Sequence, residues 1–194
     1  MPTILSHPAV PLAIGLALGS RVIPGRLLAA GVLASIVPDA DVAGLHIGIP
    51  YANELGHRGA SHSLAFAIVL GLLAAAFARQ LNASRLAAFF FITASAVSHG
   101  LLDMLTSGGL GVALAWPVSE ARMFFPVRVI RVSPLTVQRF FSARGVTVLR
   151  SELIWVWLPA ALAGLGLYVA TRRQRKQAKQ AKQGKPGKKT NKRA

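Results

Sequence analysis

The sequence predicts an all-α protein: a polytopic membrane helical bundle of about four to five segments, followed by a disordered basic C-terminal tail. Three observations carry this expectation. The 194-residue chain is 53% hydrophobic and only 14% charged, whereas a soluble domain carries about 25% charged residues. Its apolar residues fall into five runs separated by polar breaks. Its basic residues collect at some of those breaks and at the C-terminus: 11 of the 22 Lys and Arg follow Thr171, while all 6 acids precede it. This balance argues against an ordinary soluble enzyme. The absence of Cys excludes a disulfide framework, a Cys nucleophile and a thiolate metal site, so a bound metal must use His and carboxylates.

The runs are Pro8–Ser20, Leu27–Val37, Ser61–Ala78, Leu86–Leu105 and Leu153–Ala170. A spanning helix needs about 20 apolar residues, within a range of roughly 17–25. The last three runs qualify. The first two are short and read either as a tight hairpin that partly crosses or as helices lengthened by their flanks. Gly15, Gly19, Gly31 and many alanines allow close helix packing. The first run is a poor signal peptide, because it lacks a basic leader and Pro8 and Pro11 interrupt its start.

Arg21 and Arg26 occupy one short turn, Arg79 and Arg85 another, and the basic tail begins at Arg172. The positive-inside rule puts all three in the cytoplasm, and five crossings satisfy it. The segments 38–60 and 106–152 then lie outside, although the second carries six arginines, including Arg122 and Arg139. Residues 1–171 form the membrane domain. Residues 172–194 form a polybasic, low-complexity tail without acids, expected to be disordered and drawn to anionic lipid headgroups. The tail lacks aromatics between its bases, so it offers no stacking platform for nucleic acid.

The rare ionisable residues gather at one end of the runs. His7 precedes the first, Asp39 and Asp41 end the second, His57 and His62 open the third, His99 and Asp103 close the fourth, and Glu152 opens the fifth. At about 1.5 Å per helical residue, with the cytoplasmic arginines as one plane, these groups stand roughly 20–27 Å above it. They therefore meet in one layer near the outer interface. His99 and Asp103 are four apart and share a helix face, which lets them grip one ion. His57 and His62 are five apart, which is wrong for one face. Ser61 or Ser63 could cap the third run, with the preceding loop folding one His over the other. Ionisable groups in spans cost at least about 2.5–3.5 kcal/mol at a helix centre and generally face a partner or cavity. A cluster of His and Asp alone suits Zn²⁺, Mn²⁺ or Fe²⁺. His46 lies apart and reads as an interfacial polar residue.

These residues also carry a resemblance. Ser6-His7-Pro8, Pro38-Asp39-Ala40-Asp41, His57-Arg58-Gly59 with Ser61-His62-Ser63, Ser98-His99-Gly100 with Asp103, Trp116-Pro117 and Ser151-Glu152-Leu153 resemble the YdjM-type family. Its members are described as LexA-regulated, inner-membrane-associated, metal-dependent hydrolases. The resemblance covers roughly residues 5–170. More distantly, the order His, Asp, His, then His-x-x-x-Asp is similar to the first ligands of zinc-dependent phospholipase C and P1-type nucleases. That similarity implies His7, one of Asp39 and Asp41, one of His57 and His62, His99 and Asp103 as ligands. No His follows His99, so one or two ions, by resemblance zinc, fit better than three.

The expected function is a metal-dependent hydrolase of the bacterial inner membrane, acting on a phosphoester or other ester of a lipid-like substrate. The ion would activate a water. His99 and Asp103 anchor it, and Asp41 with His57 or His62 completes the shell. Two aspartates two residues apart cannot easily face one ion, so Asp39, or else Glu152, serves as general base. Arg58 beside the His block can neutralise a phosphate oxygen. The rival functions are an ion or proton pathway and a non-catalytic protein with a structural metal. There is no GxSxG elbow or Walker loop, so serine-hydrolase and NTP-driven chemistry have no support.

Overall fold

The computed structural model describes residues 1–134 and 140–183, with Arg139 and the tail beyond Gln183 outside them. The described residues are helical, with no strand; their only bridges are isolated ones, Thr106 with Ile130 and Val112 with Met123. The first four helices are α1 (Ala9–Leu18), α2 (Gly25–Ala34), the single turn α3 (Ala43–His46) and α4 (Leu64–Ala76). They are followed by α5 (Arg85–Met104), α6 (Ala143–Glu152) and α7 (Leu158–Gln183). A π-helical segment, Leu153–Trp157, joins α6 to α7.

All five apolar runs are helical. Three continuous stretches are long and apolar enough to cross a bilayer: Gly25–His46, Arg85–Met104 and Ala143–Ala178. Helices α1 and α4 are shorter, at 10 and 13 residues. The fifth run sits within a 36-residue stretch, about 54 Å long at the helical rise. That stretch is therefore longer than a hydrocarbon core of about 30 Å.

Small residues set the helix spacing. A Cβ on Gly71 of α4 would lie 2.0 Å from Thr93 Oγ1 of α5, and one on Gly31 of α2 would lie 2.3 Å from the Phe91 ring. Lipid tails are as apolar as Leu, so close van der Waals packing of this kind, not burial from water, holds membrane helices together. The apolar core between α2, α4 and α5 is built on Leu27, Ala34, Ala74, Ala88, Phe91 and Ile92. Helix α7 packs on α1, where a Cβ on Gly164 would stand 3.1 Å from the Ala13 carbonyl oxygen.

The basic turns share one end of the bundle. Arg26 Nη1 donates to the Gln80 carbonyl at 3.2 Å, and Arg21, Arg79 and Asn82 line one recess. Arg175 Nη2 donates to the Leu18 carbonyl at 2.9 Å. The single cationic plane expected from the sequence thus exists.

The tail differs from expectation over its first part. Helix α7 continues through Gln183, twelve residues into the segment expected to be disordered from residue 172. Helix extension needs no new nucleation, and Ala, Arg, Lys and Gln are all good helix formers. Residues 184–194 of that tail lie outside the described residues.

The described part of the long connection after α5, residues 105–134, crosses the opposite end of the bundle. Phe125 N donates to the Met104 carbonyl at 3.0 Å and Ile130 N to the Leu105 carbonyl at 3.1 Å, tying the connection to the end of α5. Fusions of a compartment-sensitive reporter after Arg173 and at Val118, which is 93% exposed, are expected to report opposite sides of the membrane. Activity on the same side at both positions would contradict a five-crossing bundle.

Candidate metal centre

The cluster is assembled by helix ends. After α2, Pro38 withholds a backbone N–H and so breaks the α-helical ladder. The chain tightens into a 3₁₀ turn over Val37–Val42. Residues two apart in such a turn point about 120° away from each other, so Asp39 and Asp41 diverge. The loop before α4 turns sharply at Arg58, whose φ of 67° is uncommon for a residue with a side chain. Gly59 follows because a Cβ there would lie 2.0 Å from the Glu54 carbonyl oxygen. Ser63, not Ser61, caps α4 and accepts from Phe66 N at 3.1 Å. Ser61 turns to the site instead.

Asp39, His62, His99 and Asp103 are buried, and one ligand atom from each lies within 4.8 Å of the others. His7 joins them: its Nε2 is 3.6 Å from Asp39 Oδ2 and its ring stacks on His99 with centroids 3.7 Å apart. Around this point Asp39 Oδ1 is 3.5 Å from His99 Nε2 and 3.8 Å from His62 Nε2. His62 Nε2 is 3.4 Å from Asp103 Oδ2. The shared face expected of His99 and Asp103 is present, with both side chains fully buried.

Surrounding bonds decide which nitrogens face inward. His99 Nδ1 donates to the Ser35 carbonyl at 2.8 Å, leaving the lone pair on Nε2. His62 Nδ1 lies 2.9 Å from Ser61 Oγ, which donates to Asp41 Oδ2 at 2.5 Å. The two inward Nε2 atoms are then 2.9 Å apart. Two lone pairs at that distance repel unless a positive species lies between them. Both oxygens of Asp39 and of Asp103, and both nitrogens of His7, are buried without a hydrogen bond. Buried polar groups in this state cost several kcal/mol, roughly 2–7 for a neutral group. A divalent cation removes that cost, and it fits a donor set of imidazoles and carboxylates. Burial, followed by the neighbouring His99, pushes the His7 pKa down to about 3. Its ring is therefore neutral at physiological pH, the form that ligates.

Asp41 is engaged differently. His57 Nδ1 donates to its Oδ1 at 2.6 Å, and Arg58 N and Ser61 Oγ donate to its Oδ2 at 3.1 and 2.5 Å. The His57 ring sits edge-on to that of His62, with centroids 5.6 Å apart, so the loop does fold one His against the other. Asp41, His57 and His62 also form a second group spaced for an ion.

Arg58 is fully buried; it pairs with Asp103 Oδ2 through Nε at 3.0 Å and donates to the Gly108 carbonyl and Thr106 Oγ1. Glu152 accepts from Thr3 N, and from Thr3 Oγ1 and Ser6 Oγ at 2.6 and 2.7 Å, which fastens the segment carrying His7. His46 is exposed at the end of α3, away from the cluster. Residues that sequence reasoning missed are Ser35, Thr106 and Arg122. Ser35 acts through its backbone, which leaves no trace in residue type. Arg122 clamps the carbonyls of His57 and Asn53, each at 2.8 Å, and was one of six indistinguishable arginines in its segment.

Comparison with known proteins agrees with this architecture. Residues 1–176 match the YdjM inner membrane protein family. The chain belongs to that family. It is 48% identical over 163 residues to inner membrane protein YbcI of Escherichia coli (strain K12), covering 84% of this chain and 94% of that protein. No solved structure matches. This YdjM-family chain is thus a multi-pass inner-membrane protein with a buried His/Asp group able to hold a metal ion.

In detergent-purified protein, His99→Ala and Asp39→Ala are each expected to remove bound metal as measured by elemental analysis. Asp41→Asn is expected to weaken affinity by about 10–100-fold, the usual effect of losing a group that orients a ligand. His46→Ala should leave metal content unchanged. Full occupancy in His99→Ala/Asp39→Ala would show that the ion is held elsewhere.

Proposed function

We propose that the protein is a membrane-embedded, metal-dependent hydrolase of esters presented at the bilayer surface. The observation that supports this most is the set of buried carboxylate oxygens without hydrogen bonds, facing imidazole lone pairs. His7, Asp39, His62, His99 and Asp103 would hold the ion, which ligand type suggests is zinc. When bound, such an ion supplies a Lewis acid that makes water acidic and polarises an ester oxygen.

The chain's own residues take the remaining roles. Asp41 accepts the Nδ1 proton of His57 and so makes His57 Nε2 the basic nitrogen, suited to accept a proton from the attacking water. Asp39 thereby takes the ligand role that spacing gave to Asp41, and Asp41 orients His57 in place of a carboxylate base, because Asp41's oxygens are occupied and those of Asp39 are not. Arg58 acts on Asp103 and Glu152 on the His7 segment, both as positioning residues. The sequence leaves the cytoplasmic end basic and the cluster end rich in tryptophan. Trp157 Nε1 donates to Ser6 Oγ at 3.2 Å and Trp116 Nε1 to Glu54 Oε2 at 3.1 Å. Tryptophan favours the membrane–water interface, which supports a site at headgroup depth on the outer face, with the basic end of α7 on anionic lipid inside.

A proton shared between His62 and His99 is the rival suggested by their 2.9 Å separation. A proton pathway would need polar groups continuing across the bundle. Of the hydroxyls below the cluster on α5, Ser95 and Ser98 instead donate to carbonyls of their own helix at 2.7 Å, which leaves Thr93 alone to continue such a path.

The test is a screen of metal-loaded protein against phosphoesters, carboxylic esters and phospholipids, with a chelated control. Metal-dependent turnover is expected. His57→Gln should lower kcat by about 10²–10⁴-fold, the scale of a general base, while keeping the metal. Undiminished turnover in His57→Gln would remove it from the chemistry, and no turnover of any ester by metal-replete protein would overturn the hydrolase reading.

A further inference from the structure

Directly beneath the cluster a groove runs between α1 and α7. It has a volume of about 370 Å³ and is walled by Val10, Ala13, Leu102, Val156, Ala160 and Ala163, with Trp155 and Leu167 at its ends. Its upper end adjoins the candidate metal centre twice over. Val10, in the first turn of α1, is three residues after His7, which precedes that helix, and Leu102 immediately precedes Asp103 on α5. From Trp155 to Leu167 the α7 wall descends about 18 Å at the helical rise, well into the hydrocarbon layer.

The sequence keeps this groove open. Helices α1 and α7 close on each other at Ala13 and Gly164, but the alanines beside that contact are too small to fill the adjoining space. The π segment at Leu153–Trp157 changes the helical register at the head of α7, bringing Trp155 and Val156 into the wall. Such π turns are rare and concentrate at functional sites. The lining residues are apolar, so ordered water, which needs two to four polar partners, has no place there.

We propose that this groove seats one acyl chain of a membrane lipid, and that the lipid's headgroup ester is thereby delivered to the His/Asp cluster. The occupant follows from the surroundings. Beside the groove, the outward surface of α7 carries Leu158, Leu162 and Leu165, which are 52%, 61% and 59% exposed; in a bilayer this surface is covered by lipid chains. A methylene chain fills an apolar groove without needing hydrogen-bond partners. The assignment deepens the hydrolase reading by naming its substrate class: an amphiphile with an ester or phosphoester bond at headgroup depth and a hydrocarbon tail long enough to enter the groove. Specificity for the chain then resides in Ala160 and Ala163, far from the ionisable groups.

The experiment reads chain seating separately from hydrolysis. The metal-replete protein is placed in nanodiscs of phosphatidylethanolamine and phosphatidylglycerol. These contain a trace of phosphatidylglycerol with a diazirine midway along one acyl chain. After illumination, labelled residues are mapped by mass spectrometry. Label is expected to concentrate on Val10, Ala13, Leu102, Ala160 and Ala163. Ala160→Phe and Ala163→Ile, which fill the groove to different degrees, should lower it several-fold, because the methylenes they displace lose their van der Waals contacts with the groove wall. Metal content checks that each variant is intact. Ala161→Phe, in the adjoining recess lined by Leu16, Leu165 and Tyr168, which meets the groove only at Ala13 and Gly164, should leave labelling of Val10, Leu102, Ala160 and Ala163 unchanged. Label spread evenly over the lipid-facing leucines of wild type would overturn the proposal, as would groove labelling that survives both filling variants. Crosslinks joining two copies through Ala160 or Ala163 would also overturn it, by assigning the groove to a second protein chain. A labelled groove in a protein that hydrolyses no ester would retain the lipid seat and count only against the hydrolase reading.

Discussion

Two carboxylates without hydrogen bonds, Asp39 and Asp103, are buried at the end of an apolar bundle. Most of the arrangement around them follows from that constraint. A charge out of water must be paired, and breaking a buried pair leaves a penalty of several kcal/mol, about 3–5 where measured. Arg58 answers part of it from Asp103's outer side. Three imidazoles, His7, His62 and His99, face the carboxylates from the inner side. A divalent cation at the centre would meet both carboxylates and the facing imidazole nitrogens at once. The second layer of bonds, from His99 to the Ser35 carbonyl and from His62 through Ser61 to Asp41, then reads as the means of keeping those nitrogens inward.

The bundle supplies each of these groups from a helix end, where backbone direction changes and a side chain can be aimed. Close packing through Gly31, Gly71 and Gly164 draws the helices together over their middle. It also holds four separate ends at ångström-level register without any polar group in the spans having to do so. Glu152 and Arg122 extend the same logic to irregular chain. The first anchors the N-terminal turn to the end of α6, and the second gathers the carbonyls of the His57 loop. Both hold irregular chain in place around the cluster.

Much of this was legible in the residues. The apolar runs and the arginine turns gave the helices and their order, since length and positive charge are what a bilayer selects. The layer of His and Asp was legible because a constant rise per residue converts sequence distance to depth. The different surroundings of Asp39 and Asp41 were not. They depend on a 3₁₀ turn after Pro38 rather than an extended segment, and composition does not distinguish the two. Arg58 looked available for a substrate because its partners, Thr106 and Gly108, lie about fifty residues away in an irregular connection with no periodicity to read. The continuation of α7 to Gln183 escaped because basic low complexity suggests disorder until a long preceding helix is there to extend.

The most direct test of the central claim is the coordination shell itself. X-ray absorption fine structure of the full-length protein loaded with Zn²⁺ is expected to show only nitrogen and oxygen neighbours at about 2.0–2.1 Å. It should also show the outer-shell scattering of at least two imidazole rings, lost in a His62→Ala/His99→Ala variant. A zinc spectrum of water oxygens alone, or one unchanged in that variant, would contradict an ion held between Asp39, Asp103 and the facing histidines.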